Sequence, residues 1–178
     1  MRYKKLIEVD IDLLTQCLIR TKDNKIVKTE VKEINTQHYN FKDWEFNWVE
    51  ESKKRNKILG LFAENDKRLQ GIIEYYDNKE RQLLEVVLVE IAPFNNRHNL
   101  KNFLKNKEYL GVGGHLFAEI ARISFEKGYD GYVSFLAKTN LIEHYKKTLG
   151  AKQLSYIEMY IDDEAAMKLV KKYYGENG

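Results

Sequence analysis

The segment Leu83-Leu84-Glu85-Val86-Val87-Leu88-Val89-Glu90-Ile91-Ala92 decides the fold. It is apolar at nearly every position and rich in β-branched residues, which is the pattern of a strand covered on both faces. Only Glu85 and Glu90 interrupt it. A strand of this kind lies in the middle of a sheet, with a layer of structure above and below. Upstream, Lys57 to Ala63 and Arg68 to Tyr76 are also strand-like, and the turn formers Asn65-Asp66 and Asp77-Asn78 separate the three segments. Connections this short join antiparallel neighbours, so residues 57–92 read as an antiparallel meander.

Beyond Pro93 a polar stretch rich in Asn and Lys runs to Glu108, and Leu110-Gly111-Val112-Gly113-Gly114 then opens a helix. Leu116, Phe117, Ile120, Ala121 and Phe125 form its apolar stripe, and Lys127-Gly128 supplies a glycine stop. Gly131 to Ala137 reads as a strand, Leu141 to Leu149 as a helix ended by Gly150, Gln153 to Ile161 as a strand and Glu164 to Tyr174 as a last helix. From Lys57 to Ile161 the order is β-β-β-α-β-α-β. Nearer the start, Leu6 to Val9 reads as a short strand, and the alternation over Lys25 to Ile34 as another. Phe41, Trp44 and Trp48 share one face of a helix running to about Glu51, with Phe46 off that face.

A chain of 178 residues can form one domain that buries roughly two thirds of its unfolded surface, and no repeat or Gly/Ser/Pro-rich linker divides it. With 30 basic against 27 acidic residues, the net charge of +3 does not mark a nucleic-acid binder. Cys17 is the only cysteine, which excludes an internal disulfide and fits a reducing compartment. The basic start is followed by Glu8, Asp10 and Asp12 where a signal peptide would be apolar, and no run reaches the ~20 apolar residues of a membrane span. The expectation is a cytoplasmic protein with no membrane partner. His38, His98, His115 and His144 show no paired metal spacing, so no metal is expected.

Gly111 and Gly113 would let an anion reach backbone amides at a helix start, where the helix dipole favours negative charge, and Gly114 widens the opening. The plainer alternative is close packing at the helix start. A phosphate-binding Walker loop would end in Gly-Lys-Ser/Thr, whereas Gly114 is followed by His115-Leu116. The dinucleotide fingerprint would need glycine in place of Leu116 and a strand ending directly before the loop, but the strand ends about eighteen residues earlier.

The loop Glu108-Tyr109-Leu110-Gly111-Val112-Gly113 resembles the Gln/Arg-x-x-Gly-x-Gly/Ala element of the GNAT superfamily of acyl-CoA-dependent N-acyltransferases, with Glu108 in the Gln/Arg position. A second matching segment, Ala137 to Lys152, carries Asn140, Tyr145 and Leu149-Gly150-Ala151, where the family has Leu-Gly-Phe. The match runs from about Leu83 to Lys152. It implies an α/β (α+β) fold with a mixed, mostly antiparallel central sheet flanked by helices. Residues 1–55 would form the acceptor side, 57–92 the antiparallel strands, 93–162 the acetyl-CoA-binding core and 163–178 a C-terminal helix.

The resemblance implies acetyl-CoA as cosubstrate, its pyrophosphate on the start of the helix at Leu110, Gly111, Val112, Gly113, Gly114 and His115, and Asn140 against the pantetheine arm. It also implies a bulge that frees main-chain groups of Val89 or Ile91 for the thioester carbonyl, and Tyr145 as the acid beside the sulfur. A carboxylate at Glu108 would repel phosphate, and Arg97, Lys101, Lys105 and Lys107 stand near enough in sequence to offset it. Glu90 is the favoured base, with Glu85 or water as alternatives; the two glutamates face opposite sides unless a bulge shifts the alternation. Trp44 and Trp48 could wall the acceptor pocket or lie in the core. The expected activity is transfer of an acetyl group from acetyl-CoA to a primary amine, of a small molecule or peptide, by direct attack on the thioester. A catalytically silent acyl-CoA-binding module is the alternative, and a homodimer is left open.

Overall fold

The computed structural model describes residues 5–96 and 107–175. Its strands are β1 (Leu18–Arg20), β2 (Lys25–Val27), β3 (Thr29–Glu33), β4 (Lys57–Ala63), β5 (Gly71–Asn78), β6 (Leu83–Ile91), β7 (Tyr109–Leu110), β8 (Val133–Leu136), β9 (Lys152–Gln153) and β10 (Glu158–Ile161). Its helices are α1 (Trp48–Ser52), α2 (Val112–Glu126), α3 (Ile142–Leu149) and α4 (Asp163–Tyr174). Among the described residues a seven-stranded sheet runs β3-β4-β5-β6-β8-β10-β9, and β2-β1-β7 form a small second sheet. The twice-covered strand of the sequence, β6, stands fourth of the seven. The fold is a mixed α/β one, with a large, mostly antiparallel sheet flanked by helices.

Every strand pair in the main sheet is antiparallel except β6 with β8. That parallel pair lasts for Leu84↔Val133, Glu85↔Ser134 and Val86↔Phe135. There the strands part: β8 ends at Leu136 while β6 continues to Ile91. The parting coincides with an irregularity in β6, because Tyr75 pairs with Val86 and Glu74 with Leu88, leaving Val87 as an extra residue. Such a bulge bends the strand and reverses the alternation of its side chains. Leu84 and Val86 before it, and Val89 and Ile91 after it, therefore belong to one core cluster, shared with Leu116, Phe117 and Ile120 of α2 and Leu169 and Tyr173 of α4. Leu88 faces the other cluster, with Trp48, Ile58 and Ile72.

Several elements differ from the sequence reading. Lys25 to Ile34 divides into β2 and β3, which belong to different sheets. Leu6 to Val9 makes one parallel bridge, Ile7↔Ala137, rather than a strand. Gln153 to Ile161 is a hairpin, with Ser155 Oγ accepting from Glu158 N in its turn. The expected helix from Phe41 begins only at Trp48, because two asparagines make local turns. Asn40 accepts from Lys42 N at 3.0 Å, and Asn47 caps α1 by accepting from Glu50 N at 3.2 Å. Phe41, Trp44 and Phe46 nevertheless all pack on the second cluster, so the aromatic residues are core even though their helical spacing is not realised. No helix among the described residues is long and apolar enough to cross a membrane.

On the same face as Trp48, β5 buries Glu74 completely. Burial, assisted by the neighbouring Glu51 carboxylate and opposed by the Asn56 amide 2.8 Å away, pushes its carboxyl up to about 7. A carboxyl raised above its ordinary 4.5 in the folded chain contributes stability that is fully present below that value and is lost as pH rises through about 7. Glu74→Gln keeps the acceptor for Asn56 and removes the titration. It should therefore stabilise the protein at pH 8 by on the order of 2 kcal/mol and flatten the decline between about pH 5 and 8, read from urea midpoints across that range.

Candidate active site

The parting of β6 and β8 creates a gap, and the hydrogen-bond pattern shows which groups face it. Ala92 N–H donates to Gln70 O at 3.0 Å, so Ala92, Glu90 and Leu88 turn their main-chain groups toward β5. Val89 and Ile91, alternating with them, turn theirs toward the gap. A cavity of about 40 Å³ remains there, lined by Val89, Glu90 and Ile91 with Glu8, Val9 and Glu45 among others. Three larger open grooves, of about 700, 760 and 640 Å³, lie beside β3 and β4, between residues 11–14 and α3 and α4, and beside His38 to Trp44; none is lined by Val89, Glu90 or Ile91.

The rest of the gap is filled by the chain itself. Ile7 N donates to Leu136 O at 2.6 Å and Lys138 N to Ile7 O at 2.9 Å, so residue 7 takes up β8 where β6 has left it. Val9 O accepts the Tyr145 hydroxyl at 2.6 Å. Ile11 N donates to His144 Nε2 at 2.9 Å. Asp12 then places one carboxylate oxygen 3.1 Å from Gly111 N and the other 3.0 Å from Lys107 Nζ. Leu13 O accepts from the Tyr173 hydroxyl at 3.3 Å. Ile7, Val9 and Ile11 are buried while Glu8, Asp10 and Asp12 lie on the more exposed side. This alternation was visible in the sequence, where the three acids served only to argue against a signal peptide.

At the start of α2, Gly111 has φ +93°, and a Cβ there would stand 2.2 Å from Thr15 Oγ1. Glycine is required on both counts. At Gly114 a Cβ would lie 2.2 Å from the Tyr173 hydroxyl and 2.7 Å from Leu14 Cδ2, a packing reason for the residue. Gly113 is less tight, with Ile11 Cδ1 at 3.1 Å and Ile91 Cδ1 at 3.3 Å. Leu110 pairs with Ile19, and Val112 is buried. His115 is a core residue: its Nε2 lies 2.6 Å from Thr29 Oγ1, its ring stacks on Tyr173 and burial pushes its pKa down to about 4. Of these residues Gly111 meets an anion, and that anion is the Asp12 carboxylate.

Tyr145 is fully buried on α3, packed edge-on against Phe135, and burial pushes its hydroxyl pKa well up. Asn140 lies exposed in the 3-10 turn Thr139–Leu141, away from these contacts. Glu90 is 5% exposed, accepting from Trp48 Nε1 at 2.6 Å and from Glu45 N at 2.5 Å. Burial raises its pKa, and those two donors partly counter the rise. The bulge does put Glu85 on the same face as Glu90. Glu85 stands before the bulge, however, bound by Asn78 Nδ2 at 2.9 Å and Arg81 Nη1 at 3.0 Å, and it does not line the cavity. Glu108 turns its carboxylate to Arg68, 2.5 Å away, so its charge is already matched. Of the cations expected to offset it, Lys107 binds Asp12, and Arg97, Lys101 and Lys105, like His98, lie outside the described residues.

No protein-family model matches the chain, and no curated protein sequence matches it. Among solved structures, it is similar to a Bacillus subtilis acetyltransferase in complex with CoA, at 15% identity and a TM-score of 0.47, over 76% of this chain and 98% of that one.

The glycine geometry separates packing from ligand access. Gly114→Ala must push back the Tyr173 ring, so it should lower stability by about 2 kcal/mol despite alanine's better helix propensity, whereas Gly113→Ala should stay within about 1 kcal/mol of the parent. Urea midpoints of the two variants measure the contrast.

Proposed function

We propose that the chain is an acyl-CoA-dependent N-acetyltransferase of the GNAT type, transferring the acetyl group of acetyl-CoA to a primary amine of a small molecule or peptide. One observation carries the reading: two parallel strands part at a bulge, and the gap receives the main-chain groups of Val89 and Ile91 beside a glycine-started, 15-residue helix. A helix start with a close-approach glycine suits a diphosphate. Gly111 N and Lys107, the two groups that hold the Asp12 carboxylate, are the donors a phosphate would use.

In this reading the neutral amine attacks the thioester carbonyl directly. Amides of Val89 or Ile91 stabilise the negative charge that develops on the carbonyl oxygen. As the carbon–sulfur bond breaks, Tyr145 gives its proton to the departing sulfur, and the proton lost by the new amide nitrogen passes to Glu90. Burial raises Glu90 toward working pH, which suits a base; it keeps Tyr145 protonated but makes it a weaker acid, so its proton moves only as negative charge builds on the departing sulfur. The acceptor would enter from the side of Glu8 and Glu45, which line the cavity opposite β6. A second reading, a silent binding module, is favoured by the engagement of Tyr145 with Val9 and of Gly111 with Asp12.

Millimolar acetyl-CoA should raise the melting temperature by several degrees through mass action. CoA release over a panel of amines should find an acceptor, and Tyr145→Phe should cut kcat about 100-fold while acetyl-CoA affinity is retained. Glu90→Gln should remove the rise of rate with pH that tracks deprotonation of this raised carboxyl. Binding with no CoA release from any amine would establish the silent module; absence of any thermal shift would remove both readings.

A further inference from the structure

Residues 7–14 touch the groups on which the proposed transfer depends: Val9 holds the Tyr145 hydroxyl, Asp12 holds Gly111 N and Lys107, and Ile11 packs within contact distance of Gly113. We infer that this segment is an intrasteric strap that competes with acetyl-CoA for the gap between β6 and β8, its Asp12 carboxylate standing in for the cofactor's phosphate at the start of α2. The inference rests on the acetyl-CoA reading and adds regulation to it.

Three features support a strap rather than a permanent strand. The first is how little ties it to the sheet. Between residues 5 and 15 the chain forms one bridge, Ile7↔Ala137, with two main-chain hydrogen bonds; Val9 O, Ile11 N and Leu13 O are then held singly by Tyr145, His144 and Tyr173, while the side chains of Lys5, Glu8, Asp10 and Asp12 tie to Glu51, Lys138, His144, and Lys107 with Gly111 N. Segments with so few backbone ties are the ones that open at low cost relative to the sheet. The second is chemical mimicry. A carboxylate shared between a helix-start amide at 3.1 Å and a lysine at 3.0 Å reproduces the donor set that an anionic ligand needs. The third is reciprocity: Lys107, mostly buried, is neutralised by Asp12 while the strap is seated and exposes a phosphate partner once it leaves. Opposing release, Ile7, Val9 and Ile11 are buried in the main core. The apparent affinity for the cofactor is then reduced by the fraction of chains in which the strap has lifted.

Coenzyme A titrated into the full chain by calorimetry, with amide hydrogen exchange in parallel, tests this. Asp12→Asn keeps an acceptor for Gly111 N but drops the charge that holds Lys107 and repels phosphate, so coenzyme A should bind about tenfold tighter than to the parent. Glu30→Gln removes an exposed charge of β3 that pairs with Lys32 and not with any residue of the segment, and should change affinity less than about twofold. In the parent chain, saturating coenzyme A should speed exchange across residues 7–14, at the Ile7 and Ile11 amides above all. Equal effects of the two variants, weaker binding by Asp12→Asn, or coenzyme A bound while those amides stay protected would overturn the strap and leave the cofactor reading intact. Failure of coenzyme A to bind the parent and both variants would instead overturn the cofactor reading, and the strap with it.

Discussion

One surplus residue organises this molecule. Val87 has no partner of its own on β5, and everything on the C-terminal side of it in β6 is turned over relative to what precedes it. Had β6 kept strict alternation, Leu84, Val86, Leu88 and Glu90 would share one face, and a glutamate would enter the cluster that α2 and α4 cover. The surplus residue sends Glu90 to the opposite side, where Trp48 and Glu45 supply donors, and returns Val89 and Ile91 to the α2 side. The same bend takes β6 away from β8 after three paired residues, which is what opens the gap.

A gap between parallel strands in a sheet interior leaves main-chain donors and acceptors that must find partners. Here residues 7–14 meet that demand partly: one bridge to β8, then buried Ile7, Val9 and Ile11 filling the volume. The polar requirement at the α2 start is met by Asp12, because partial positive charge on the first amides of a 15-residue helix stabilises a carboxylate there. The arrangement answers the sheet's geometry in the way an extended, anion-tipped ligand would.

The sheet was legible because its pattern is dictated by burial: β4 and the start of β6 fall where the apolar runs begin, and Asn65-Asp66 and Asp77-Asn78 lie at or beside the turns between the meander strands. Helix α2 was legible from its stripe and its terminal glycines. The first fifty residues were not, for a physical reason. Their aromatic side chains are placed by asparagine turns at Asn40 and Asn47 and not by helical repetition, so spacing over Phe41 to Trp48 gave the right burial with the wrong backbone. The family resemblance implied a bulge at Val89 or Ile91; the extra residue is Val87, and no residue type in Val86-Val87-Leu88 betrays it. Asp12 was missed because its partner, Gly111, is 99 residues away, and the only local sign was the alternation of Ile7, Val9 and Ile11 with acids.

In the proposed transfer, Glu90 would join a structural and a chemical role in one group. Its two oxygens tie the Glu45–Trp48 turn to the sheet; burial raises its pKa, and the peptide and indole N–H donors, which favour the anion, counter that rise in part. A base that must take one proton and release it needs this balance: too little burial and the carboxylate is too weak to accept, too few donors and it is already protonated. Glu74, one strand over, lacks the second donor and is pushed up to about 7, and it lines no part of the cavity. Of the buried carboxylates on this face, Glu90 combines a place in the cavity lining with two donors that offset its burial, and it does so because the surplus residue at Val87 turned it toward Trp48.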